Sequence, residues 1–131
     1  MKRFFSALLA MAVVSTGTWG CGGKSSPEAT LAVTTTPAIN STQPPAPGPN
    51  FPLNVKITSA MPSKGVSIAV SAAPDGTTST FFSVTQNSTT ASNDFSITAT
   101  PVAKVSVVTI TVTSLSTATN TWTGSYRYSA K

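Results

Sequence analysis

The 131-residue chain has no histidine, one cysteine and three acidic residues, and each shortage removes a class of chemistry. Without histidine there is no imidazole to serve as general base, to complete a Ser-His-Asp arrangement or to ligate a metal. Of the carboxylates, Glu28 lies in a Pro- and Thr-rich stretch, Asp75 in a Pro-Asp-Gly turn, and Asp94 after Asn93 at a loop-to-strand boundary. Asp in such a turn serves local hydrogen bonding. Calcium asks for several oxygen ligands with clustered carboxylates, and two isolated Asp residues do not supply them. One cysteine allows no intrachain disulfide. The expectation is a non-enzymatic protein with no cofactor and no metal.

Charge is scarce as well. Only 8% of residues are charged, against roughly 25% in an average soluble domain. The net charge of +5 includes Lys2 and Arg3 at the extreme N-terminus. The remaining positive residues, Lys24, Lys56, Lys64, Lys104, Arg127 and Lys131, are scattered along the chain. A nucleic-acid binder gathers such residues on one face to neutralise several phosphates together, so no nucleic-acid partner is expected. Ser and Thr occupy the places that charge leaves empty. β-Branched Thr suits a pleated surface, and helical surfaces are built from other residues, so the bias favours an all-β domain with a hydroxyl-rich exterior.

The N-terminus has the layout of an export signal. Lys2 and Arg3 precede an apolar run from Phe4 to Val14, broken only by Ser6. That run is too short for a bilayer span, which needs about 20 apolar residues, and it suits a signal-peptide core. Ser15-Thr16-Gly17-Thr18-Trp19-Gly20 then leads directly to Cys21. In this layout the chain resembles bacterial lipoproteins. Cys21 stands where that family carries its lipid-modified cysteine, and Gly20 where it has a small residue before the cleavage point. Thr18 and Trp19 depart from the leucine and small residue usual there. The resemblance implies that residues 1–20 are removed, that Cys21 carries a lipid, and that the protein is held in the cell envelope. Gly22 is not the Asp that in this family retains proteins at the inner membrane, so the outer membrane is the expected location. The alternative is ordinary signal cleavage with Cys21 left as a free thiol.

Residues 21–50 read as the lipid-anchor cysteine and a disordered tether rich in Pro, Thr and Ser, ending in Pro44-Pro45-Ala46-Pro47-Gly48-Pro49. Pro removes backbone donors and restricts its predecessor, and few large apolar side chains are present to offset ordering entropy. A coil of this length spans about 30 Å. Gly22-Gly23-Lys24-Ser25 lacks the leading Gly and the preceding strand of a phosphate-binding loop, and counts as tether.

From Phe51 onward apolar residues alternate with period two, the mark of half-buried strands. Leu53, Val55 and Ile57 share a face; so do Val66, Ile68 and Val70; Thr80–Val84 forms a third strand, closed by the polar stretch Gln86–Asn93. Phe95, Ile97 and Ala99 follow, then Lys104–Thr113, where Val105 and Val107 have odd parity and Val108, Ile110 and Val112 even parity. Such a switch predicts a bulge or a change of face. Six or seven short strands within residues 51–131, with no helical periodicity, predict one small antiparallel β-sandwich, immunoglobulin-like or fibronectin type III-like in architecture. An up-and-down or incomplete barrel is the alternative. The domain is too small to enclose a deep ligand cavity.

Trp122, Tyr126 and Tyr128 share parity on the last strand. Facing outward they form a binding surface for a glycan or an envelope protein; facing inward they are core, which is the more common arrangement. Two functions follow. One is a lipid-anchored envelope protein that presents its sandwich as a structural or protein-interaction module. The other is a carbohydrate- or ligand-binding accessory lipoprotein. An uncovered edge strand favours the first, and a flat outward aromatic patch the second.

Overall fold

A computed structural model describes residues 28–131. The expected signal peptide (1–20) and Cys21 lie outside the described residues. Seven strands form the fold: β1 (Val33–Thr36), β2 (Phe51–Ile57), β3 (Val66–Pro74), β4 (Phe82–Ser88), β5 (Ser92–Ile97), β6 (Val105–Ser114) and β7 (Thr121–Ser129). They make two antiparallel sheets, β1-β2-β5 and β4-β3-β6-β7. The chain is a β-sandwich, not a closed barrel. In constant-type immunoglobulin domains the fourth strand completes the first sheet. Here β4 pairs with β3 in the second sheet. No helix among the described residues is long and apolar enough to cross a membrane.

The alternating pattern explains which side of each strand is buried. Leu53, Val55 and Ile57 of β2, with Phe95 and Ile97 of β5, face Val66, Ile68, Val70 and Ala72 of β3 and Val108, Ile110 and Val112 of β6. Pro74-Asp75-Gly76 forms the expected turn: the Thr77 amide donates to the Pro74 carbonyl at 3.1 Å and Gly76 has φ +84°. A positive φ at the third residue of a turn is the reason for glycine there.

β6 differs from the sequence expectation. Its pairing with β3 and with β7 runs without interruption, so there is no bulge. Val105 is exposed and Val107 half-buried on the outer face, while Ser106 takes the inward position in line with Val108. The parity switch arises because a serine occupies a core position, not because the strand changes face. The Ser106 hydroxyl is fully buried without a hydrogen-bond partner. Buried Ser114 at the other end of β6 accepts from the Ser116 and Thr117 amides at 3.1 and 3.0 Å. An unpaired buried hydroxyl opposes folding, so Ser106→Ala should leave the domain as stable or about 1 kcal/mol more stable. Urea unfolding reads this as an equal or higher midpoint at unchanged slope. A lower midpoint would contradict it.

The sandwich also reaches back into the stretch read as tether. β1 pairs with β2 from Val33↔Ile57 to Thr36↔Asn54, and Leu31 and Val33 are in the core. The chain then crosses to the other sheet and runs parallel to β7. Asn40, Gln43 and Ala46 donate to the carbonyls of Ser125, Arg127 and Ser129 at 2.7, 2.8 and 3.2 Å, and Arg127 donates back to Ser41. These donors recur every three residues, the period of polyproline II. Pro44 and Pro45 fall between them, where no donor is used, so the prolines fit this edge and the segment is not the tether expected for it.

Candidate functional site

β7 carries the three aromatic residues singled out in the sequence, and its inward face holds them. Tyr126 and Tyr128 are 3% and 4% exposed, and Trp122 is half-buried against the core. The Tyr128 ring lies 4.8 Å from that of Phe51, centroid to centroid, and its hydroxyl shares a 2.6 Å hydrogen bond with Thr100 Oγ1. Trp122 folds over Gly124. A Cβ at Gly124 would lie 2.6 Å from the Trp122 indole and 2.8 Å from Ile39, so this glycine is the notch that seats the ring. The aromatic row is therefore part of the packing between the sheets and not a flat outward platform.

Beside it a cleft of about 230 Å³ is lined by Pro37, Pro44, Phe51, Pro52, Tyr126 and Tyr128. Its walls are the crossing segment and the inner aromatic residues. It is shallow and apolar, and its lining has no ionised group. Burial holds both phenols above their ordinary pKa of 10.0, aided at Tyr126 by neighbouring Tyr128 and opposed at Tyr128 by its hydrogen bond to Thr100. The unfolded phenols ionise near pH 10, whereas the folded ones resist. Stability from this pair is thus fully present below pH about 10 and is lost as pH rises above it. With no histidine to titrate between pH 6 and 9, thermal stability should be flat there and fall above pH 10. Tyr126→Phe should weaken that fall. An equal alkaline loss in the variant would contradict the assignment.

The carboxylates do not converge. Asp75, after β3, pairs with Arg127 at 3.3 Å on an exposed surface. Asp94 of β5, in the other sheet, accepts from Asn54 Nδ2 at 2.9 Å. Among the described residues no group of three or more His, Cys, Asp or Glu side chains could hold a metal ion.

What the sequence reading did not pick out is the β4 edge. Gln86, Asn87 and Ser88, expected in a loop, continue β4 and pair with Ile68, Ser67 and Val66. Among the described residues no segment pairs with the other side of β4. Proteins blunt such edges with Lys, Pro, bulges or a covering segment. The other three edges follow that practice: β1 has four residues and ends at Pro37, β5 carries Asp94, and β7 is covered by residues 40–46. From Thr77 to Asn93 there is no charged residue and no proline. The available signal was this uncharged run, with Thr85 and Asn87 alternating outward. Compared with known proteins, the chain matches no family model, no curated protein and no solved structure.

Proposed function

We propose that the protein is a non-enzymatic, lipid-anchored component of the bacterial cell envelope, held at the outer membrane through Cys21, whose sandwich binds a protein partner along β4. The observation that carries the reading is the β4 edge, which among the described residues is the one sheet edge without a cover, a charge or a proline. Its occupant is an extended, uncharged segment of another envelope protein. Main-chain hydrogen bonds supply affinity in such strand addition, and alternate side chains supply selectivity. The carbohydrate-binding alternative needs outward aromatic rings, and Tyr126 and Tyr128 are buried.

A photoreactive residue placed at Thr85 or Asn87 in cells tests this. Both side chains are exposed, so neither replacement touches the core. The expected result is one adduct of defined mass from either position, none from exposed Thr109 on β6, which β3 separates from β4, and loss of the Asn87 adduct when Thr85 is changed to Lys. Thr85→Lys should shift stability by no more than about 0.5 kcal/mol. Equal labelling at Thr109, or an adduct indifferent to Thr85→Lys, would overturn the edge as the binding surface.

A further inference from the structure

The chain enters the sandwich at one end, beside two loops. The Asn120 side chain holds the entering segment: Nδ2 donates to Glu28 Oε2 at 2.7 Å and to the Ala29 carbonyl at 2.8 Å, and Oδ1 accepts from the Leu31 amide at 3.0 Å. Asn120 closes the β6–β7 hairpin, whose loop is joined to the β2–β3 loop. The Leu115 amide donates to the Gly65 carbonyl at 2.9 Å, and Ser116 Oγ accepts from the Lys64 amide at 2.9 Å. At this tip Leu115 is 41% exposed, and Lys64 is exposed beside it. Lys56, near the end of β2, projects from the same end. Among the described residues, Glu28 at this end is engaged by Asn120, and Asp94, two residues along β5 from the Ser92 that pairs with Lys56, is held by Asn54.

Because residues 31–50 belong to the fold, the connection to the anchor is far shorter than a tether of residues 21–50. Glu28 is seven residues from Cys21, which fully extended reach only about 25 Å. A lipid on Cys21 must therefore keep this tip close to the headgroups. We propose that the tip formed by the β2–β3 and β6–β7 loops rests on the bilayer, with Leu115 against the lipid and Lys64 and Lys56 facing acidic headgroups. The inference rests on the lipid-anchor reading and adds an orientation to it: the strands stand along the membrane normal and β4 is presented sideways. Val102 is more exposed, at 61%. It lies at the far end, beyond the length of β6, about 30 Å away, and serves as an internal control.

The test uses the mature chain, purified from membranes and reconstituted in vesicles of phosphatidylethanolamine and phosphatidylglycerol. With the Cys21 sulfur taken by lipid, an introduced cysteine is a unique labelling site. Thr117→Cys and Val102→Cys carry an environment-sensitive dye, and a nitroxide lipid quenches it according to depth. The expected result is several-fold stronger quenching at 117 than at 102, reduced several-fold when Leu115→Ser is added. Both Thr117 and Leu115 are exposed, so folding is retained. Equal quenching at both ends, or no response to Leu115→Ser, in a chain whose mass shows the lipid would overturn the orientation and leave the anchor standing. A lipid-free Cys21 would overturn both.

Discussion

Replacing Ile110 with alanine should destabilise the domain by about 2–5 kcal/mol, the range for deleting a buried branched side chain. Ile110 sits at the middle of β6 with no exposed surface, opposite Val70 on β3 and Gly124 on β7. The space it vacates cannot easily be refilled. Gly124 has no side chain to extend into it, and the indole of Trp122 is already committed to covering Gly124. Val70 is β-branched and stiff at χ1. For a domain of this size such a loss lowers the melting temperature by about 4–8 °C per kcal/mol, roughly 8–40 °C in all. A shift of a few degrees in thermal unfolding would mean that the two sheets collapse onto the cavity, and would contradict the close packing described for this layer.

Gly65→Ala should be comparably damaging, for a backbone reason. Gly65 has φ +85°, and a Cβ there would stand 2.4 Å from the Ser88 carbonyl oxygen and 3.0 Å from Thr89 Cγ2. The nearest obstacle is backbone of the β4 end, which cannot turn aside as a side chain can. Left-handed backbone in a residue with a Cβ costs about 1–3 kcal/mol, and overpacking adds about 1–3 kcal/mol, so a loss of about 2–6 kcal/mol is expected. Gly65 also accepts from the Leu115 amide. The variant should therefore loosen both tip loops, which amide hydrogen exchange at Leu115 would report alongside the lowered urea midpoint. Unchanged exchange and midpoint would contradict the geometry at this turn. Gly76, also at positive φ, has nothing within 4 Å of a built Cβ, so Gly76→Ala should show the conformational part of the loss alone.

The fold was legible where hydrophobic alternation coincided with burial. In β2 and β3 the apolar residues of one parity are the core residues, and the turn at residues 74–77 announced itself through Pro-Asp-Gly. Legibility failed where two physical demands compete. In β6 the odd-parity valines carry strand propensity without burial, while Ser106 is buried without being apolar, so counting apolar residues suggested a bulge that does not exist. In residues 37–50 prolines suggested a tether, because their missing donors matter for a central strand. On an edge only every third amide is needed, and Asn40, Gln43 and Ala46 supply it. β4 was shortened in the sequence reading because an exposed edge has no apolar inner face to mark it beyond Val84. For the candidate site, the parity of Trp122, Tyr126 and Tyr128 was readable, but which face they occupy depends on the partner sheet. That face became evident only from Phe51 and Thr100, distant in sequence and packed on Tyr128.

This arrangement changes what the proposed lipid anchor would imply. A long tether would let the sandwich sample any orientation. A connection of seven residues from a segment pinned by Asn120 would instead set both height and direction for the proposed anchor, and the β4 edge would then be offered to neighbours in the plane of the membrane.

The proposed place in the envelope and the orientation at the membrane both depend on Cys21. The measurement that tests this most directly is the mass of the mature N-terminal peptide, taken from the membrane fraction of a bacterial host. The expected result is a chain that begins at Cys21, lacks residues 1–20 and carries a diacylglyceryl group on the cysteine sulfur. An unmodified Cys21, or a chain that begins at another residue, would contradict it and leave an exported sandwich with a free thiol and no fixed relation to the membrane.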